Sequence, residues 1–142
     1  MANQQHMELL MQSEAKGWNT WRQLHPEITP ELRGATLSEA ILDKYDLSGA
    51  DLSEANLIDA KFIGANLANA DLSQANMIEA KLAFSDLRGA NLAGADLSSA
   101  DLTGANLSEA NLRGAILNWT LLMDALITDE QLRAVKSHLE LH

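Results

Sequence analysis

A chain of 142 residues without cysteine is expected to form one domain, held together by neither disulfides nor a thiolate-bound metal. Its formal net charge of −10 disfavours nonspecific nucleic-acid binding, which needs clustered Lys and Arg, and is equally what a solubilised surface carries. No apolar run approaches the ~20 residues of a membrane span, and the first residues lack a basic-then-apolar signal pattern, so a soluble, cytoplasmic protein without membrane contact is expected.

Residues 1–29 read as an N-terminal helical cap and linker. Within 3–21, Met7, Leu10, Met11, Trp18 and Trp21 fall at helical spacing and can share one packing face. Gly17 is placed to interrupt or end the first helix. Pro26 and Pro30 then confine a short rigid link.

Residues 30–127 follow a single rule. From 30 to 124 run nineteen five-residue units, each centred on an apolar residue, from Leu32 and Leu37 through Phe62 and Met77 to Leu122. Two residues before the centre stands a small side chain, Ala in fifteen of the nineteen units, and between the two lies mostly Asp or Asn. A period of five fits neither a helix nor a long strand. Ala-Asp-Leu does alternate over three positions, which puts Ala and Leu inside and the polar residue outside a short extended piece. The other two residues must turn the chain. Seven of the eight glycines fall second after the centre, where a type II turn needs positive φ.

Four such sides close a square coil in which residue n stacks on residue n+20, with coils about 4.8 Å apart. Nineteen units give nearly five coils around a narrow core of Leu and Ala, which suits a chain with only six aromatic residues. At the small position Pro30, Tyr45 and Thr120 depart in the end coils, and Ser85 stays small.

Residues 128–142 read as a C-terminal helical cap, since both open ends of a coil stack need covering. Thr128 or Asp129 is placed to N-cap a helix through about Leu139. Leu126, Ile127, Leu132, Val135 and Leu139 would cover the last coil, with Trp119 packed beneath.

The units Ala50-Asp51-Leu52 and Ala65-Asn66-Leu67, repeated in frame over about two thirds of the chain, resemble the pentapeptide-repeat family and its pattern A-[DN]-L-x-x. The resemblance implies an all-β solenoid, a right-handed quadrilateral β-helix, here of about five coils with short helical caps at both ends. The flanks Trp18-Asn19-Thr20-Trp21-Arg22 and Thr128-Asp129-Glu130-Gln131-Leu132 are similar to those of members abundant in cyanobacteria.

Chemistry is sparse. His6, His25, His138 and His142 lie only in the flanks, and of these only His138 and His142 have helical ligand spacing. The carboxylates follow the repeat on a convex surface, without a cleft to shift their pKa values. No catalytic residue, cofactor or metal is expected, and the chain reads as a non-enzyme.

Read in columns at n+20, the surface carries one departure, between the second and third faces of the middle coils. Ile58, Ile78, Ile63 and Phe84 point outward there, with Asp59 and Glu79 at a corner and Lys61 and Lys81 replacing the usual Asp or Asn. One reading is ordinary surface, with Asp59–Lys61 and Glu79–Lys81 as compensating pairs worth at most ~1 kcal/mol. The other is a partner site, an apolar cluster ringed by charge.

These residues suggest a non-catalytic protein–protein interaction or scaffold module with an unknown protein partner and no direct nucleic-acid binding. The family resemblance implies an alternative, a DNA-mimicking inhibitor or protector of a DNA-binding enzyme such as gyrase. The chain departs from that group. Those rods are longer, the C-terminal helix looks like a lid rather than the base of their back-to-back dimer, and the acids form no continuous stripe: Asn66 separates Asp46 from Asp86. An enzymatic reading would require ligand-dependent activity at a pocket between a cap and the coil.

Overall fold

In the computed structural model, which describes residues 1–139, each repeat unit must place five backbone N–H donors. Residues 71–75 show how. Asp71 N–H donates back to the Ala50 carbonyl at 2.9 Å, Leu72 N–H forward to Asn91 at 2.8 Å, and Gln74 N–H forward to Ala93 at 2.9 Å. Ala75 N–H closes the corner on the Leu72 carbonyl at 3.1 Å. The fifth donor, Ser73 N–H, has no backbone acceptor. The Asp71 carboxylate takes it at 3.0 Å and also accepts the Ser73 hydroxyl at 2.6 Å.

Twelve Asp or Asn side chains brace the following corner in this way, at 46, 51, 56, 66, 71, 76, 86, 91, 96, 101, 106 and 111. Asp and Asn suit the position because their short side chains reach the backbone N–H two residues on. They do more than solvate the wall.

Parallel bridges join each wall residue to the one twenty further on, from Glu31 with Asp51 to Asn106 with Leu126. Twenty residues therefore complete one circuit of four five-residue sides. Each of the nineteen corners has positive φ at the second residue after its centre, at seven glycines and twelve other residues. The centres and the alanine columns fill the interior, with Leu72, Phe62, Met77 and Ala80 all fully buried.

Helix α1, Gln4–Gln12, starts on Asn3, whose side chain accepts from His6 N–H at 3.1 Å. Helix α2 spans Ala15–Leu24. The break falls at Ser13 and Glu14, so Gly17 neither interrupts nor ends a helix but lies inside α2. Leu10 and Trp18 are buried and Met7 and Trp21 half-buried against the first coil, as their spacing predicts, whereas Met11 is exposed.

The cap also satisfies the open backbone edge. Trp18 Nε1 donates to the Asp46 carbonyl at 2.8 Å, and Arg22 donates to Asp46 and Ser48 carbonyls at 2.7 and 2.8 Å. Asn19 both donates to the Lys44 carbonyl at 3.0 Å and accepts from Asp46 N–H at 2.7 Å. His6, buried beside Trp21, accepts Glu31 N–H on Nδ1 at 2.9 Å. Tyr45 does not mark a widened channel: it stacks on Trp18 at 6.4 Å between ring centroids and donates its hydroxyl to the Ser13 carbonyl.

At the other end Thr128 N-caps α3, Asp129–Ala134, in a capping box with Gln131. Gln131 Nε2 also donates to the last-coil carbonyls of Leu107 and Ala110, at 2.6 and 3.0 Å. This helix is shorter than the expected one ending near Leu139. Beyond it the chain returns to extended form, and Ser137 pairs with Ile116 at an offset of twenty-one, the helix having added one residue to the circuit. Ile127, Leu132 and Val135 pack on the core, while Leu126 and Leu139 are exposed. Trp119 is not covered by α3 either; it is exposed at a corner, where its N–H donates to the Leu139 carbonyl at 2.6 Å. No helix among the described residues is long and apolar enough to cross a membrane.

Candidate interaction surface

Numbering the walls by their centres, Leu52 lies on the first, Leu57 on the second, Phe62 on the third and Leu67 on the fourth. The twenty-residue register divides the eight predicted surface residues between the two corners of the third wall. At the corner with the second wall, Ile58 and Ile78 are half-buried and donate their N–H groups to Asn56 and Asn76 Oδ1 at 3.2 and 3.3 Å. Asp59 and Glu79 follow at positive φ, 58° and 61°. Lys61 and Lys81 pair in the ladder on the third wall itself. Ile63 and Phe84 lie at its far side, exposed at 41% and 68%. The single edge expected from the sequence is therefore a whole wall, with the lysines between two apolar borders.

The expected compensating ion pairs are not formed among the described residues. The four salt bridges there join Arg22 to Asp46, His25 to Glu27, Arg33 to Glu54 and Arg88 to Asp86. Lys81 Nζ instead donates to the Glu79 carbonyl at 3.0 Å. Phe84, at φ 60°, lays its ring over Gly104: a Cβ added to Gly104 would stand 2.5 Å from Phe84 Cδ1.

Between positions 51 and 106 every wall position with a coil on both sides is Asp or Asn except Lys61 and Lys81. Both exceptions are on the third wall. Ile63 N–H recovers an acceptor from the coil below, Asp43 Oδ1 at 2.8 Å. Ala83 is buried, and no side chain among the described residues accepts from its N–H. A neutral intramolecular hydrogen bond contributes about 0.5–1.5 kcal/mol net, and the third wall forgoes one at this point.

The same columns extend the wall beyond the eight residues. Ile41 is 67% exposed in the first coil, Leu121 and Met123 are exposed in the last, and Lys44 stacks beneath Gly64. The signal for these was the same n+20 register, carried into the end units.

Elsewhere the chemistry is thin. A shallow cleft of about 350 Å³ opens between α3 and the last coil beside Glu109, Asn111 and Thr128, and one of about 300 Å³ between Ser13–Ala15 and the first coil beside Ile41 and Asp43. On the fourth wall the hydrogen-bonded Arg88 side chain holds the Asp86 carboxyl below the usual carboxylate range, against the opposing effect of burial. Burial, then the Glu14 charge, pushes the Tyr45 phenol up. Among the described residues no three His, Cys, Asp or Glu stand close enough to hold a metal; His138 is exposed and His142 lies outside the described residues.

Comparison with protein families matches the Pentapeptide repeats, in 8 copies, over residues 31–67, 55–92 and 90–129. The chain belongs to the pentapeptide-repeat family. Among solved structures, alr5209, a pentapeptide repeat protein from Nostoc Pcc 7120, is 32% identical, with a TM-score of 0.53 over 83% of this chain and 93% of its own. Rfr23, a pentapeptide repeat protein from the cyanobacterium Cyanothece 51142, is 33% identical with a TM-score of 0.46, over 64% of this chain and 62% of its own. The present chain thus spans less than two thirds of that pentapeptide-repeat relative. QnrB1, a plasmid-mediated fluoroquinolone resistance protein, is 23% identical with a TM-score of 0.48, covering 78% of this chain and 65% of its own. No curated protein matches the sequence. The pentapeptide-repeat relatives imply a right-handed β-helix, in keeping with the expectation from the repeat.

Proposed function

We propose that this pentapeptide-repeat protein is a non-catalytic, soluble interaction or scaffold module: a quadrilateral rod of about five coils that presents its third wall to a protein partner. One observation carries the reading. In the middle of the rod only the third wall abandons the Asp or Asn that braces each corner, and there Lys61 and Lys81 stand beside exposed Ile63 and Phe84. Sites that break a local rule without structural return are where function is expected.

On the fourth wall the acids give the DNA-mimicking alternative no support, although Glu39, Asp59 and Glu79 do stack along a corner of the second. Asp46, Asn66 and Asp86 alternate along the fourth wall, and one oxygen of each carboxylate is spent on the backbone. An affinity pull-down from host lysate tests the proposal, comparing wild type with a folded Ile63→Ser/Phe84→Ser variant. A partner held by the first and lost by the second supports the third wall. Equal retention by both would move the interface elsewhere.

A further inference from the structure

The charge of the rod is unevenly divided among its walls. The second wall carries Glu39, Asp59, Glu79 and Asp96 with no base, a net −4, and the first and fourth walls net −2 each. On the third wall three acids, Asp43, Asp101 and Asp124, meet the only three lysines of the repeats, Lys44, Lys61 and Lys81, for a net charge of zero. Asp43 and Asp101 are turned to backbone work, accepting Ile63 and Thr103 N–H groups at 2.8 and 3.0 Å. Lys44 and Lys61 form no ion pair among the described residues. The face is thus neutral overall, with Lys61 and Lys81 in its middle coils and apolar residues at its borders, on an otherwise anionic rod.

Its spacing is regular along the axis. Lys61 and Lys81 are neighbours in adjacent coils, and Ile63 and Phe84 lie in adjacent columns one coil apart; adjacent coils lie about 4.7–4.9 Å apart. Side chains at i and i+3 or i+4 of a helix recur at about 5–6 Å, close to that repeat. We propose that the third wall docks an acidic amphipathic helix of a partner protein, laid along the rod with carboxylates over Lys61 and Lys81, its apolar stripe on Ile63 and Phe84, and a further carboxylate at Lys44 where the Phe84 column ends. This rests on the reading of the chain as an interaction module and adds the chemistry of the partner.

A narrow acidic segment fits this wall better than a broad anionic surface. A duplex or a lipid headgroup plane, both wider than one five-residue side, would also meet Asp59 and Glu79 at the corner and the acids of the second wall beyond. A single helix can stay between the corners.

A phage-displayed library of helical peptides, with one fixed apolar stripe and randomised flanking charges, tests the inference on the full chain. Wild type is expected to select Asp and Glu beside the stripe. A Lys44→Glu/Lys61→Asp/Lys81→Asp variant should bind those peptides at least about tenfold more weakly and select Lys and Arg instead. That variant places acids where the fold already holds them, since Glu39 and Glu79 occupy corners at positive φ and Asp51 and Asp71 occupy wall positions; circular dichroism checks that it is folded. If the variant and Ile63→Ser/Phe84→Ser both keep the wild-type peptides, the inference falls while the interaction module stands. If wild type selects nothing, the inference falls, and with it the support for the reading beneath it. Co-sedimentation with phosphatidylserine-containing vesicles, lost in the lysine variant, would overturn it in favour of a lipid surface.

Discussion

The unbraced corner after Lys81 can be weighed directly. Lys81→Asn should restore the bond that twelve other units make, by offering Oδ1 to the Ala83 N–H two residues on. A neutral intramolecular hydrogen bond contributes about 0.5–1.5 kcal/mol net. Lys81→Ala is the proper reference, because it too removes the bond from Nζ to the Glu79 carbonyl and the positive charge. The Asn variant should therefore exceed the Ala variant by about 1 kcal/mol. Position 61 is the internal control. There the Ile63 N–H is already accepted by Asp43 Oδ1 at 2.8 Å, so Asn and Ala at 61 should differ little. Asp43→Ala removes that acceptor, and in its background Asn at 61 should regain the advantage seen at 81. The assay is the urea midpoint at constant slope, which reports stability free of changes in exposed surface. Equal gains at 61 and 81, or none at 81, would refute the account of how Asp and Asn hold the corners.

Other expectations follow from single positions. Leu72→Asp puts a carboxylate into the fully buried column of centres and should abolish the β-sheet circular dichroism signal. Ser85 Oγ is buried with no hydrogen-bond partner among the described residues, so Ser85→Ala should leave stability unchanged or raise it by up to about 1 kcal/mol in urea unfolding; a clear loss of stability would contradict this. Gly104→Ala meets both the Phe84 ring and a φ of +67°, whereas Gly49→Ala meets only a φ of +68° with open space around it. The first should cost more, and Phe84→Ala should remove the difference in a double-mutant cycle of thermal melts. For Asp86 the sign is that of a depressed carboxyl: its contribution is present above the ordinary Asp range and is lost as pH falls through the lowered folded value. The stability gap between wild type and Arg88→Ala should therefore narrow on acidification below about pH 4, and a gap that widened would exclude the pair as its source.

The fold was legible because one short rule repeats. The period of five, Ala and Leu on one side and glycine at the corner predict the n+20 stacking that the bridges display. The ends were less legible, because their groups satisfy the open edge by particular contacts rather than by pattern. His6 accepting Glu31 N–H, Asn19 gripping Lys44 and Asp46, and Gln131 reaching two carbonyls of the last coil have no periodic signature. The shortened α3 has the same origin: after one turn and a half of helix, residues around Ser137 gain more from pairing with Ile116 and Leu117 than from continuing a helix. At that end the capping signal at Thr128 and the packing of Ile127, Leu132 and Val135 could be read in advance.

The candidate surface shows why a repeat protein's departures need a physical ledger before they are read as function. Columns of sequence place Ile58 and Phe84 on one edge, yet the register puts them on opposite corners of a wall, and Ile58 and Ile78 are half-buried. What singles out the wall is the fate of the fifth N–H. In the end coils Thr36, Ile41 and Leu121 also replace Asp or Asn, but those units have a coil on one side only, and Ile116 is paired on its outer side with Ser137 of the C-terminal cap. Lys61 and Lys81 have a coil on both sides and no cap to serve. Their units could carry Asp or Asn, as the ten other two-sided positions do, and Ala83 N–H would then be bonded. A position that breaks the local rule without a structural return is where a role other than folding is to be sought. Lys81 is one such position, and it stacks on Lys61 in the adjacent coil, beside exposed Ile63 and Phe84, on the one wall of the rod that is not net negative.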